Sequence, residues 1–239
     1  MMLSDAHTHP CDEGFGSRYR DLDELEVIIG CCSRTEDWDD MGSCADPRVV
    51  RSYGVHPWYA DEWDDSVKDR LVDILSSDKD ACVGEIGLDM KRGDIVAQEH
   101  VFREQLSMAS SMGRLVSIHM VGPCEDRVLD AIKESGYAGP GIILHSYAGQ
   151  DSYIRSFCRN GCYISVSPRL VESSPRRASR IIPLIPMDRL LLETDHPYVG
   201  KGFTSMEDHV RAVSDILGMD PDTLSSLVTD NIRRLIGHG

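Results

Sequence analysis

The chain has 239 residues, of which 41% are hydrophobic and 27% charged, a globular composition that disfavours disorder, collagen and coiled coil. Lys and Arg number 25 against 40 Asp and Glu, giving a formal net charge of −15, which disfavours a module that holds nucleic acid mainly by neutralising phosphates. No apolar run reaches the ~18 residues needed to cross a bilayer, and the stretch from Met1 to His7 does not read as a secretory signal.

In chain order, short apolar runs alternate with amphipathic stretches. Strands are expected at 3–7, 27–32 and 52–55, then a helix at 64–76. A strand at 81–86 leads to a helix at 95–112, with Val101, Phe102, Leu106 and Ala109 at helical spacing. Strands at 115–118, 141–144, 162–166 and 189–193 alternate with helices at 124–135, 152–160 and 175–182. Helices at 206–217 and 221–236 close the chain, the last with Asp220 as N-cap and Pro221 at its first position. Several strands are too apolar to be half-exposed, as expected of parallel strands covered on both faces. Eight strand–helix alternations predict a (β/α)8 TIM barrel forming a single domain over 1–239. An open doubly wound sheet would place a glycine-rich loop after the first strand, where His7-Thr8-His9-Pro10 stands instead. The eight cysteines form no Cys-x2-Cys pair and read mostly as buried thiols in a reducing, cytoplasmic compartment.

A barrel carries its chemistry at the C-terminal ends of its strands. Here those ends deliver His7 and His9, His56, Glu85, His119, His145 and Asp195 to one rim. So many ionisable groups around one mouth are costly to bury unless they bind cations. His7 and His9 are two residues apart on a strand, so both rings face one point. Glu85 has two oxygens and can bridge two ions, and Asp195 can hold a metal and accept a proton from its water. Mixed imidazole and carboxylate donors suit zinc, manganese, magnesium or nickel. Two such ions sharing a carboxylate would activate a bridging hydroxide at neutral pH.

The segments 7–9, 54–57, 83–89, 118–119, 144–146 and 192–198 resemble, in order, those of TatD-type metal-dependent deoxyribonucleases of the amidohydrolase superfamily. Gln98, Phe102, Gln105 and Leu106 resemble the family's helix after the glutamate strand, and Asn231 and Leu235 its C-terminal helix. The resemblance implies that His7, His9, Glu85 and Asp195 hold one divalent ion, and that Glu85, His119 and His145 hold the second. It makes Asp195 the general base, with Glu85 beside it in catalysis, His56 a substrate-binding histidine and Glu193 a supporting residue.

The implied activity is an exonuclease-type deoxyribonuclease; an amide, ester or lactone hydrolase on the same metal site is the alternative. The expected partner is DNA, held weakly at single-stranded ends, with no membrane and no obligate protein partner. Three segments depart from the family: Met90-Lys91-Arg92 replaces aromatic residues, Met120-Val121-Gly122 replaces a segment with arginine, and His196 replaces a small residue. Lys91, Arg92, Arg169 and Lys201 are the candidate phosphate contacts.

Overall fold

Runs of Val, Ile and Leu covered on both sides become the strands of one parallel sheet. The computed structural model describes residues 1–13, 15–16, 18–199 and 204–237, so Lys201 lies outside the described residues. The strands are β1 (Leu3–Thr8), β2 (Leu25–Cys31), β3 (Val49–Tyr53), β4 (Cys82–Asp89), β5 (Val116–Val121), β6 (Ile142–Leu144), β7 (Cys162–Val166) and β8 (Leu190–Leu192), each paired with the next. The helices are α1 (Trp38–Gly42), α2 (Asp65–Ser77), α3 (Ile95–Met112), α4 (Glu125–Ser135), α5 (Ile154–Arg159), α6 (Pro168–Ser173), α7 (Pro175–Ile181), α8 (Met206–Leu217) and α9 (Pro221–Leu235). This is the expected (β/α)8 barrel. No helix among the described residues is long and apolar enough to cross a membrane.

Helix ends follow their side chains. Asp64, Asp94 and Asp220 accept the amides of Val67, Val96 and Thr223 at 2.9 Å each. Pro221 occupies the first turn of α9, as expected. The short helices α1 and α6 escaped the periodicity because they span 5 and 6 residues. The expected helix at 152–160 begins as a 3-10 turn, Asp151–Tyr153, before α5.

Strands β4 and β5 run further than their apolar stretches. Gly87 pairs with His119 and Asp89 with Val121, so Glu85 and His119 lie within strands rather than at their ends. Strand β3 is shifted the other way. Val55 leaves the sheet, and its amide and carbonyl are satisfied instead by the Gln105 side chain of α3 at 2.8 and 3.1 Å.

Two irregularities aim the rim residues. The β4 register steps from Val83↔Val116 to Ile86↔Ile118, which inserts one extra residue at Gly84–Glu85. The β1 register steps from Asp5↔Ile28 to Thr8↔Gly30, with an extra residue at Ala6–His7. The barrel closes through buried Asp5. Its Oδ1 accepts the amides of Thr194 and His7 at 3.0 and 3.1 Å, and its Oδ2 accepts the Tyr19 hydroxyl at 2.8 Å. Burial pushes its carboxyl up to about 7, against these hydrogen bonds. Asp195 N–H donates to His7 O at 3.0 Å and His9 N–H to His196 O at 2.9 Å, so β1 and the segment after β8 join at the mouth.

Gly87 is the tightest point of the mouth. Its φ is +143°, and a Cβ there would meet the His119 carbonyl oxygen at 2.0 Å. Gly87→Ala is expected to destabilise the fold by about 2 kcal/mol or more, because backbone must move. Urea unfolding checks this; an unchanged midpoint would show that β4 and β5 can separate freely.

Candidate metal centre

Strands β1, β4 and β5 and the segments after β1, β3, β6 and β8 bring His7, His9, Glu85, His119, His56, His145 and Asp195 together, all buried. Glu85 is the hub. Its Oε2 lies 3.4 Å from His7 Nε2 and 3.6 Å from His9 Nε2. Its Oε1 lies 2.6 Å from His119 Nδ1, 2.8 Å from His145 Nε2 and 3.4 Å from His56 Nε2. Asp195 Oδ1 lies 3.4 Å from His9 Nε2. The two oxygens of one carboxylate thus face different groups of nitrogens. Ser146 and Asp195 have φ of 44° and 52° at the exits of β6 and β8. Side chains other than glycine seldom adopt such values, and they cluster at functional sites.

The charges are strongly coupled. Burial alone would raise the Glu85 carboxyl, but the charges of His145 and His56 and hydrogen bonds from His119 and His145 hold it well below the usual range. Burial likewise opposes the ionised Asp195, and the His9 hydrogen bond outweighs it. Burial favours neutral rings, yet His145 is raised well above its ordinary value by Glu85 and Glu193, His9 is raised by Asp195 and Glu85, and His119 by Asp89 and Glu85. His7 and His56 are lowered, chiefly by burial.

These residues fit divalent cations. Imidazole nitrogens converge on one another: His7 Nε2 and His9 Nε2 are 3.2 Å apart, and His119 Nδ1 and His145 Nε2 are 3.3 Å apart. Nitrogens this close, with carboxylate oxygens beside them, can turn their lone pairs on one shared cation once the rings are neutral. His7, His9 and Asp195 form one set able to hold an ion, and His7, Glu85 and His145 another. The outward nitrogens are held in turn. His7 Nδ1 is 2.8 Å from Ser117 Oγ, and His145 Nδ1 is 3.4 Å from Glu193 Oε1, which also accepts the Ser146 amide at 2.7 Å. Glu193 therefore sits behind His145.

His56 also lies near Glu85 and His119 in a set of metal-binding geometry. Its tautomer argues for a donor. Nδ1 accepts the Trp58 amide at 3.1 Å, so the neutral ring carries its proton on Nε2, which lies 3.2 Å from His119 Nδ1 on the metal-centre side.

Sequence reasoning gave no role to Asp89, Ser117 or Trp58. Asp89 Oδ2 accepts Trp58 Nε1–H at 2.6 Å and lies 3.7 Å from His119 Nε2. The signal was present: Glu85, Gly87 and Asp89 alternate along one strand, as do Ser117 and His119. The buried Gln98 of α3 accepts the Asp89 amide at 2.8 Å and donates to Arg92 O, clamping the loop between. Above the centre opens a cleft of about 770 Å³ lined by, among others, Lys91, Arg92, Arg169 and Arg177. Arg92 stacks 3.9 Å over the Trp58 ring. His196 is tied down structurally, with Nε2 2.9 Å from Phe15 O and Nδ1 2.9 Å from Thr204 Oγ1.

A (β/α)8 barrel whose rim gathers imidazoles and carboxylates around one shared carboxylate defines a metal-dependent hydrolase. The chain belongs to the family described as TatD related DNase, whose pattern it matches over residues 4–237. It is 28% identical over 262 aligned residues to a Mycobacterium tuberculosis protein named uncharacterized metal-dependent hydrolase TatD, covering 99% of this chain and 98% of that one. It is 34% identical over 152 residues to a Cronobacter turicensis protein named 3'-5' ssDNA/RNA exonuclease TatD, covering 61% of this chain and 56% of that one. The crystal structure of a TatD homologue from Escherichia coli superposes with a TM-score of 0.86 at 20% identity, covering 98% of this chain and 97% of that one, a likeness of fold.

The coupled charges predict a pH signature. His9, His119 and His145 are raised from 6.5, so their pairing stabilises the metal-free protein fully below 6.5 and is lost as pH rises through their folded values. Glu85 and Asp195 are lowered from 4.5 and 3.8, so their contribution is present above those values and lost on acidification. The pairing of these five groups is expected to contribute most to the metal-free protein between pH 4.5 and 6.5. A divalent ion needs the same rings neutral, so loading should release protons and move the optimum upward. Thermal unfolding across pH, with and without metal, checks this; one shared optimum would contradict it.

Proposed function

We propose that this chain is a phosphodiesterase using two divalent metal ions to trim single-stranded DNA from an end. The observation that carries the reading is the division of Glu85, with Oε2 toward His7 and His9 and Oε1 toward His119 and His145, as a carboxylate shared by two cations requires. His7, His9, Glu85 and Asp195 would hold one ion, and Glu85, His119 and His145 the other. When bound, such a pair supplies a water acidic enough to ionise near neutral pH and offsets charge growing on a phosphate oxygen. The exonuclease names of relatives support the substrate class.

The chain's own groups do the rest. Asp195 is held ionised by His9 and so accepts the proton of the attacking water. His56 is kept neutral by burial and presents Nε2–H to a phosphate oxygen. Tyr198, 60% exposed at the cleft, offers a ring on which a base can stack. With a net charge of −15 the chain has little to hold a long strand, and weak binding of an end suits it. A cytoplasmic setting is part of the reading, supported by eight free cysteines.

Metal-loaded protein should shorten a labelled single-stranded oligonucleotide, and Asp195→Asn should lower kcat by about 100-fold or more. An acyl-ester and lactone panel run beside it separates the alternatives. Ester or lactone cleavage without shortening would overturn the nuclease reading and keep the metal centre.

A further inference from the structure

The metal centre accounts for the floor of the cleft. It leaves unexplained two arginines on the wall formed after β6 and β7. Arg169, in α6, is exposed; Arg177, in α7, is half-buried; both line the same cleft as Glu85 and Asp195. Arg177 is anchored. Its Nη2 donates to Ala148 O, and to Gly149 O at 2.7 Å, in the loop that follows His145. The guanidinium is thereby fixed relative to a candidate metal ligand.

Its Nε is buried and has no hydrogen-bond partner among the described residues. With Nη2 and Nε turned into the protein, Nη1 is the part of this guanidinium left to meet an anion in the cleft. No carboxylate pairs with Arg169 or Arg177 among the described residues, whereas neighbouring Arg180 holds Asp151 at 3.1 Å. Glu125, the acid on this side of the cleft, is engaged by the Gln150 amide at 2.9 Å.

The opposite wall differs in kind. There Arg92 lies over the Trp58 ring, which already engages its positive face. A guanidinium suits phosphate oxygens, and a fixed one loses little freedom on binding.

We propose that Arg169 and Arg177 form a second anion subsite, which receives a phosphate next to the bond being cut and favours ends that carry a terminal phosphate. The proposal rests on the phosphodiesterase reading above. It adds a preference within that activity, set by two residues that are not metal donors. The cleft's ≈ 770 Å³ suits a short phosphate-bearing end.

The test uses the metal-loaded protein and three forms of one thymidine dinucleotide: unphosphorylated, 5'-phosphorylated and 3'-phosphorylated. The wild type should cut one phosphorylated form with about tenfold higher kcat/KM than the unphosphorylated one, mainly through KM. In Arg169→Gln and Arg177→Gln that ratio should fall toward one, whatever happens to the absolute rates. A wild-type ratio near one, or a ratio both variants keep, overturns the subsite while the nuclease reading stands. Arg169 is exposed, so Arg169→Gln keeps the test valid if Arg177→Gln melts early.

If no dinucleotide is cut, the phosphodiesterase reading fails, and calorimetric titration with inorganic phosphate tests the subsite by itself. Weaker phosphate binding in both variants would support it. An affinity that neither variant changes would place the anion on the metals and overturn it.

Discussion

A carboxylate that is 3% exposed must be compensated, and Glu85 is surrounded by five imidazoles. That single buried anion organises the mouth of the barrel. The extra residues in β1 and β4 fall where His7 and Glu85 must turn toward each other. Gly87 lets β4 approach the His119 carbonyl, which brings His119 onto Glu85. Asp5 ties β1 to Thr194, and so fixes Asp195 relative to His7 and His9. Without Glu85 these devices would assemble histidines whose charges repel, in a site too dry to screen them.

Around this centre the chain builds a second layer of hydrogen-bonding groups. Ser117 and Glu193 hold the outer nitrogens of His7 and His145, so their inner nitrogens point at Glu85. The amide of Trp58 sets the His56 tautomer, and Asp89 holds the Trp58 ring. Two buried glutamines of α3 reach past the sheet to clamp the segments after β3 and β4. Loops that would otherwise wander are thus fixed by a rigid helix, which preorganises the groups facing substrate.

Much of this was legible in the sequence. The strand order follows from the alternation of apolar runs and amphipathic stretches, and the rim residues from what ends each run. The His7 and His9 pair was readable from its two-residue spacing, although β1 ends at Thr8 and His9 stands just beyond it. What escaped depends on partners far along the chain. Gln105 meets Val55 across 50 positions and Asp5 meets Thr194 across 189, and no local pattern marks either. Strands β4 and β5 outran their expected ends because a polar residue at the rim looks like a boundary when it is a partner in the ladder. Arg177 reads as one charge in a basic stretch until Ala148 and Gly149 are seen to hold it.

In the proposed centre, Glu85 is shared by two divalent ions. A crystal grown with manganese, with data collected at its absorption edge, tests this most directly. Two anomalous peaks are expected, one beside each oxygen of Glu85, the first near His7, His9 and Asp195 and the second near His119 and His145. A single peak, or ions bound away from Glu85, would contradict it.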